Sequence, residues 1–486
     1  MIFELLKKHY IHFLFIILLI SLPISKASAS IALVLLFADA VIRLFLNPTK
    51  HLNTLPTHKS LILISGLFFV YMSGLLYSQN LQAGLDFLYA NNGFFTVPFI
   101  VWINRQLIVE KFTTYLLSFT VATVASCAIT LGFYMLSEAQ LMAVIEKVGF
   151  LQEYTPQRSR LMYGLYSPFI GRIQFCNLVG IAILACSWLF MTKKHRLFSF
   201  LSGAFLLLSS VYLGGRAAQL GILFAAFIFT LGFCCYYIFP YCKKQFNNTK
   251  IASVITTSLV VLLLASPFLA YQNLEPIQKR YGQMFWELQI FENNTFEKYK
   301  YEHFTCIRRL VSWQNSWEIV KASPILGVGT GDYYTAMEKV YAADKFKIPV
   351  NSHSQYLQIW VTAGLLGLAF FIFVIFHWLV AVYRSENRML FVFAAAYMGF
   401  YLIVFALDAV LLRQVDNMSF PFFMSGIAAV AVHYSLQNKA AQKPTILVPA
   451  SKLPLPAPVL VNPQLNLAKV NNTETKILEV ELEYVA

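Results

Sequence analysis

The chain has 486 residues, of which 58% are hydrophobic and 12% are charged, and its mean hydropathy is +0.62. A soluble protein would carry roughly a quarter charged residues, so these values exclude an ordinary soluble fold. The formal net charge of +14 does not indicate a nucleic-acid partner, because the basic residues cluster in short segments between apolar runs. The seven cysteines show no C-x-x-C spacing and lie mostly in or beside apolar runs, so we expect neither a disulfide framework nor a metal site built on them.

Apolar runs of about 20 residues recur along the chain, and a helix of that length crosses the hydrocarbon core of a bilayer. Their repetition predicts an all-α, polytopic membrane protein with a transmembrane domain over residues 1–436 and about twelve transmembrane helices. The first run also resembles a cleavable signal peptide, but we favour a retained helix because a second apolar run follows at once. The predicted spans are residues 10–26, 28–46, 60–78, 87–104, 113–136, 167–191, 197–213, 217–240, 251–271, 355–382, 389–410 and 418–435.

The basic residues of the short connections predict the orientation of the spans. If Lys7 and Lys8 are cytoplasmic and the spans alternate, every short cytoplasmic connection carries Lys or Arg, and the short outer connections carry almost none. We therefore expect both termini in the cytoplasm. The basic residues on the cytoplasmic side are Arg43, Lys50, Lys59, Arg105, Lys111, Lys193, Lys194, Arg196, Lys243, Lys244, Lys250, Arg384 and Arg388.

Two long segments fall on the outer side, residues 136–166 and a larger loop, residues 272–354, between the ninth and tenth spans. The stretches LEPIQKRYGQMFWELQIFENN and CIRRLVSWQNSWEIVKASP of the larger loop show helical spacing, and we expect helices on the membrane surface. Pro324 and the glycines behind it should end the second helix. Residues 437–486 are rich in proline and lack helical periodicity, which predicts a disordered cytoplasmic tail.

Several arginines fall on the outer side of this map. Arg216, in YLGGRAAQLG, occupies a very short connection between two spans, where a charge is costly, and we interpret it as an anion ligand rather than a snorkelling side chain. Arg309 follows Arg308 and lies four residues before Trp313, so Arg309 and Trp313 share one helix face. Arg172, near the outer end of a span, is either a contact to a lipid substrate or a helix-end anchor.

His353 lies where the tenth span begins. It follows Asn351 and Ser352, which are good N-cap residues, so we expect it in the first helical turn. There the unpaired amides and the helix dipole disfavour a charged imidazole. A neutral histidine can accept a proton near pH 7, although the same position also suits a histidine with a purely structural role.

The order of these motifs resembles that of the O-antigen ligase/O-antigen polymerase family of bacterial membrane glycosyltransferases. The resemblance covers about residues 206–376. The family usually has serine where this chain has Gly215, and asparagine where it has Ser354. The motifs are Gly215-Arg216, Arg309 to Trp313 (R-L-V-S-W), Pro324 to Gly331 (P-I-L-G-V-G-T-G), His353 to Leu357 (H-S-Q-Y-L) and Gly364 to Gly367 (G-L-L-G).

The resemblance implies an enzyme of the bacterial inner membrane whose active face is periplasmic. Such enzymes transfer a glycan from an undecaprenyl-diphosphate carrier to a hydroxyl of an acceptor glycan, for example the lipid A-core of lipopolysaccharide. Arg216 and Arg309 would then bind the diphosphate with help from Arg308 and Arg172, because guanidinium groups grip phosphate oxygens in pairs. His353 would act as the general base. No Asp-x-Asp pair lies on the outer face, so we expect a metal-independent, inverting transfer without a cofactor.

Three other functions remain open at this point. A polymerase that extends a carrier-linked glycan differs only in its acceptor, which no residue identifies. A transporter would need charged residues at membrane depth and related halves; the candidates are Asp39 with Arg43, and Asp408, and we find no convincing internal repeat. A non-catalytic glycan-binding membrane protein is the third alternative.

Overall fold

The computed structural model describes residues 2–136, 140, 143, 167–193, 195–246, 248–293, 304–343 and 351–442. These residues form helices joined by turns, with no β-strand among them, as the apolar runs predict. The first seven helices are α1 (Ile2–Ser21), α2 (Lys26–Leu46), α3 (Pro48–Leu52), α4 (Lys59–Gly74), α5 (Leu81–Ala90), α6 (Gly93–Ile103) and α7 (Arg105–Met135). The next five are α8 (Arg172–Met191), α9 (Arg196–Leu213), α10 (Arg216–Phe233), α11 (Phe239–Phe246) and α12 (Thr249–Asn273). The last six are α13 (Glu275–Glu292), α14 (Thr305–Ala322), α15 (Tyr333–Ala343), α16 (Gln355–Tyr383), α17 (Arg388–Leu407) and α18 (Gln414–Gln442).

In the described part of the chain, ten helical segments are long and apolar enough to cross a membrane. The two further spans that the sequence predicts are also helical, but their apolar helical stretches are shorter than those of the ten. Helix α1 has an apolar stretch over His9–Ser21 only, and the fourth predicted span is divided into α5 and α6 at Asn91 and Asn92. The all-α polytopic class is therefore confirmed, and the number of twelve spans stays a prediction.

The helices differ greatly in how deeply they are enclosed. In the most apolar stretch of α18, 94% of the residues are buried, against 78% for α8 and 67% for α17. Helix α10 packs along α17, and α8 packs along α7 and α9. In α12 only 6% of that stretch is buried, so this helix presents most of its apolar surface outward.

The two helices predicted in the larger outer loop are confirmed as α13 and α14. Helix α14 ends at Ala322, just before the predicted stop at Pro324. Residues 344–350 of the same loop lie outside the described residues.

The glycine-rich turn behind α14 is bonded to a break in α16. Gly364 has φ 65° and ψ −169°, which interrupts the helix, and Gly327 has φ 73°. The N–H of Val328 donates to the carbonyl of Val361 (2.8 Å), and the N–H of Leu365 donates to the carbonyl of Pro324 (2.9 Å). A Cβ at Gly327 would lie 2.6 Å from the Gly364 nitrogen, so the two backbones meet only because both residues are glycine. This junction fixes α14 relative to the start of α16.

The predicted outer segment 136–166 and tail 437–486 are largely outside the described residues. Residues 437–442 continue α18 as helix, where the sequence lacks helical periodicity. The disordered tail beyond them stays a prediction.

Candidate functional site

One cavity brings together the arginines and the histidine that the sequence singles out. It has a volume of about 170 Å³ and lies between α8, α10, α13 and α14 and the segment before α16. Arg172, Arg216, Arg308, Arg309 and His353 all line it. The described residues in its lining include no aspartate or glutamate. A small enclosed space with guanidinium groups and no lining carboxylate is suited to an anion.

Arg216 reaches the cavity from a very tight turn. Helix α9 ends at Gly214, which has φ 64°, Gly215 is the N-cap, and Arg216 opens α10. The buried Arg216 side chain donates from Nη2 to Oγ1 of Thr305. A Cβ at Gly215 would lie 2.6 Å from the Sγ of Cys176. The departure from the family's usual serine is therefore explained by the cysteine, which fills the space that the serine side chain would need.

Arg280 also lines the cavity, and the sequence did not single it out. Its Nη2 donates to the carbonyl of Gly214, and a Cβ at Gly214 would lie 2.7 Å from its Cζ. The preceding residue, Lys279, is exposed and pairs with Glu275 at 2.5 Å. In the sequence, Lys279 and Arg280 look like one solvated basic pair, and only the packing of α13 against the turn before α10 separates their environments.

Arg308 and Arg309 lie in the first turn of α14, whose start is fixed by a buried carboxylate. Oε2 of Glu287 accepts from the backbone N–H groups of Cys306 (2.5 Å) and Ile307 (3.3 Å). A carboxylate at a helix N-terminus satisfies amides that have no partner within the helix. Helix α13 thereby holds the start of α14 in place.

On three of the arginines that line the cavity, a buried guanidinium nitrogen has no acceptor within the described part of the chain. These nitrogens are Nη1 of Arg216, Nε of Arg308 and Nε of Arg309. Leaving a buried charged donor without an acceptor is costly, and sites that bind an anion supply that acceptor in the bound state. The unpaired donors leave hydrogen-bonding capacity that a ligand with several acceptor oxygens would satisfy.

His353 lies before α16 rather than in its first turn, so the expectation for its position was wrong by two residues. The N-cap is Ser354, whose side chain accepts from the N–H of Leu357 (3.5 Å), whereas Asn351 accepts from the N–H of His353 (3.0 Å) and holds it at φ 44°. This turn over residues 351–353 competes with helix formation, so α16 begins only at Gln355. Trp313 donates from Nε1 to the His353 carbonyl (3.1 Å), which links α14 to the histidine.

The imidazole of His353 faces a carboxylate that the sequence did not assign to the site. Its Nδ1 is 3.5 Å from Oδ1 of Asp408, at the end of α17. Burial lowers the pKa of His353, Asp408 raises it, and Arg309 and Arg308 lower it further, with a net shift below its ordinary value. The histidine is therefore neutral at pH 7 and able to accept a proton.

Asp408 is fully buried and paired with cations from two sides. Arg413 approaches its two carboxylate oxygens with Nη2 at 3.2 and 3.1 Å, and Nη2 of Arg309 is 3.9 Å away. Burial alone would raise the pKa of Asp408, but Arg413, His353 and Arg309 hold it well below its ordinary value. The sequence offered Asp408 only as a possible charge at membrane depth in a transporter. In the structure, Asp408 instead lies beside His353 and therefore belongs to the surroundings of the cavity.

The other pair considered for a transporter, Asp39 and Arg43, forms a salt bridge of 2.8 Å within α2. Arg43 also donates to Oδ1 of Asn104 at 3.3 Å. Neither residue lines the cavity. This pair satisfies itself locally and needs no transported ion to explain it.

A large apolar groove lies close to the cavity, although the two share no lining residue. It has a volume of about 770 Å³ and lies between α9, α10, α12 and α13. Residues that are consecutive in the chain line the two spaces. Ala218 lines the cavity and Gln219 the groove, and Arg280 lines the cavity and Tyr281 the groove. Its lining is mainly apolar, and it includes Leu207, Leu208, Val211, Leu220, Leu223 and Phe268.

Comparison with known proteins identifies the central part of the chain. Residues 201–372 match a family model described as O-antigen ligase. This match supports a relationship between the central part of the chain and the O-antigen ligase/polymerase family. The match contains Arg216, Arg309 and His353 and agrees with the extent of the motifs in the sequence. No curated protein matches the chain. The ten apolar helices and this match together support a multi-pass bacterial membrane protein whose residues 201–372 are similar to O-antigen ligases.

Proposed function

We propose that this protein transfers a glycan from undecaprenyl diphosphate to a hydroxyl of an acceptor glycan, such as the lipid A-core, on the periplasmic side of the inner membrane. The observation that carries the proposal is the clustering of Arg172, Arg216, Arg308, Arg309 and His353 around one cavity. Arg280 adds a fifth guanidinium group. A diphosphate offers several anionic oxygens within a small volume, which suits donors converging from several helices.

The chemistry is a single displacement at the anomeric carbon. The acceptor oxygen forms a bond to that carbon while the bond from carbon to the diphosphate oxygen breaks, and the electron pair leaves with undecaprenyl diphosphate. Arg216 and Arg309 stabilise the charge that develops on the leaving group. His353 takes the acceptor's proton, and the anomeric carbon is inverted. Asp408, close to Nδ1, favours the tautomer that leaves Nε2 as the proton acceptor.

The apolar groove supports a lipid-linked donor. Its lining and that of the cavity come from consecutive residues at two places, and one of its walls is α12, the least buried of the ten candidate spans. An isoprenoid chain placed there would exchange its contacts with lipid for contacts with apolar side chains, while its diphosphate reached the arginines. A water-soluble nucleotide sugar would have no use for such a groove.

The test is transfer by the purified full-length protein in vesicles, from synthetic undecaprenyl-diphosphate glycan to a lipid A-core acceptor. We expect product in the presence of excess chelator, because guanidinium groups hold the diphosphate. A strict requirement for divalent cations would contradict the metal-independent route. Product only on a carrier-linked acceptor would identify the polymerase, which is the runner-up.

The orientation is tested separately from the chemistry. In a variant without the seven native cysteines, Asn273→Cys at the outer end of α12 should react with a membrane-impermeant thiol reagent in whole cells. Lys244→Cys in α11 should not react. Both side chains are exposed, so accessibility of the side chain is matched. The reverse labelling pattern would place the cavity on the cytoplasmic side and end the proposal.

A further inference from the structure

We infer that Asn177 recognises a hydrogen-bond donor, a hydroxyl or an amide N–H, on the sugar directly attached to the diphosphate, and that Asp416 sets the orientation of its amide. The inference rests on the proposed function and adds a residue that selects among donors. Asn177 lies on α8, lines the cavity and is fully buried. Neither residue is needed to bind the diphosphate or to accept the proton.

The amide of Asn177 is held by a carboxylate from the most enclosed helix. Its Nδ2 donates to Oδ1 of Asp416 (2.9 Å), which lies in α18 and is also fully buried. This hydrogen bond directs the NH₂ end of the amide toward Asp416, because the amide nitrogen is the donor and the carboxyl oxygen is the acceptor. Within the described residues, Oδ1 of Asn177 has no hydrogen-bond partner. The pair therefore presents a carbonyl oxygen that is still available as an acceptor.

An acceptor is unusual among the polar groups of this cavity. Its five guanidinium groups are donors only, and two polar oxygens beside it, Oγ1 of Thr305 and the Gly214 carbonyl, already accept from arginines. Besides the imidazole of His353, Oδ1 of Asn177 is therefore a side-chain acceptor in the cavity's described lining that no arginine occupies, and a sugar can donate to it. Phosphate oxygens would not bind it, because they too are acceptors. The partner must be a hydroxyl or an N–H group.

The position of Asn177 favours the donor's first sugar over the acceptor. It follows Cys176, against which the turn at Gly215 and Arg216 is packed. Helix α8 also carries Arg172 into the cavity. Asn177 thus belongs to the side of the cavity where we place the diphosphate, and the sugar bonded to the diphosphate is the nearest carbohydrate.

The experiment measures binding to the purified full-length protein in nanodiscs. The probes are undecaprenyl diphosphate alone and undecaprenyl diphosphate bearing glucose, galactose, N-acetylglucosamine or N-acetylgalactosamine, each with analogues in which one hydroxyl or the acetamido group is replaced by hydrogen. We expect the wild type to bind one sugar about tenfold more tightly than an analogue that lacks a single donor group. Asn177→Ala should abolish that preference and leave the affinity for bare undecaprenyl diphosphate unchanged.

Variants of Asp416 separate orientation from folding. Asp416→Asn retains an oxygen that can accept from Asn177 and should keep the preference, whereas Asp416→Leu should lose it. Ser187→Ala on the same helix α8, away from the cavity, is the control and should change nothing. Retention of the preference in Asn177→Ala, or equal weakening of every probe including the bare diphosphate, would overturn the inference. Failure of the wild type to bind undecaprenyl diphosphate at all would instead overturn the proposed function.

Discussion

The two walls of the cavity use arginine in different ways. On the Arg216 wall, formed by Arg172, Arg216 and Arg280, the last two donate to neutral oxygens, Thr305 Oγ1 and the Gly214 carbonyl. On the His353 wall, formed by Arg308, Arg309 and His353, Arg309 and the imidazole approach the carboxylate of Asp408. Neutral partners position a guanidinium group without cancelling its charge, whereas a carboxylate also influences a neighbouring base. Under the proposed function, the first wall binds an anion, and the second wall also controls a proton.

The largest effect that tests this division is expected from His353→Ala. It should lower glycan transfer by about 10²- to 10⁴-fold, the usual contribution of a general base, and leave the affinity for undecaprenyl diphosphate nearly intact. Transfer and lipid binding are measured separately on the purified variant. His433→Ala, an exposed histidine at the far end of α18, is the matched control. If His353→Ala transfers glycan at the parental rate, His353 has only a structural role.

On the other wall, Arg216→Lys should act mainly on binding. Lysine keeps the charge but loses the planar fork, and the loss of a charge-assisted hydrogen bond of about 1.5–3 kcal/mol corresponds to a roughly 10- to 100-fold weaker complex with undecaprenyl diphosphate. Arg309→Lys should behave similarly. The control is Arg384→Lys, an exposed arginine between α16 and α17, which should bind as the parent does. Unchanged binding in Arg216→Lys would remove the anion site from this wall.

A smaller effect should link the Arg216 wall to the apolar groove. Ser266→Trp fills part of the groove, and exclusion of one or two methylene-sized groups, at about 0.8 kcal/mol each, should weaken undecaprenyl diphosphate binding by roughly 4- to 15-fold. Binding of a short-chain geranyl diphosphate should change little. Leu262→Trp is the control, because it lies exposed on the same helix outside the groove. Equal weakening of the long and the short lipid would argue against an isoprenoid chain there.

The two walls were not equally predictable from the sequence. The His353 wall comes from short motifs whose spacing already brings Arg309 and Trp313 to one face, and the structure adds the link from Trp313 to His353. Asp408 was recognisable only as a costly charge near a helix end, because its partners are distant in sequence. Arg280 and Asn177 gave no signal, since a basic pair and an amide in an apolar run are ordinary until packing buries them.

Local hydrogen bonds also limit what helical patterns can predict. The transmembrane spans can be predicted because an apolar run long enough to cross a bilayer is visible in the sequence itself. The start of α16 cannot, because Asn351, Ser352 and Ser354 could each cap it. The choice depends on the turn that Asn351 makes with His353. The break at Gly364 was likewise hidden, since it requires the backbone around Gly327 to be in place.

The effect that we expect to be smallest at neutral pH is a shift in the pH dependence of glycan transfer. It tests how the His353 wall controls the proton. Burial first, and then the nearby arginines, lower the pKa of His353, while Asp408 raises it. A general base works in its neutral form, so the rate at saturating donor should stay constant from neutral pH downward and fall only once the pH drops through this lowered pKa. Asp408→Asn removes the raising influence and should move the acid limb to lower pH. Arg308→Gln removes a lowering influence and should move it to higher pH. The opposite directions distinguish an electrostatic effect on the histidine from general loss of structure, which would reduce the rate in both variants without separating their acid limbs.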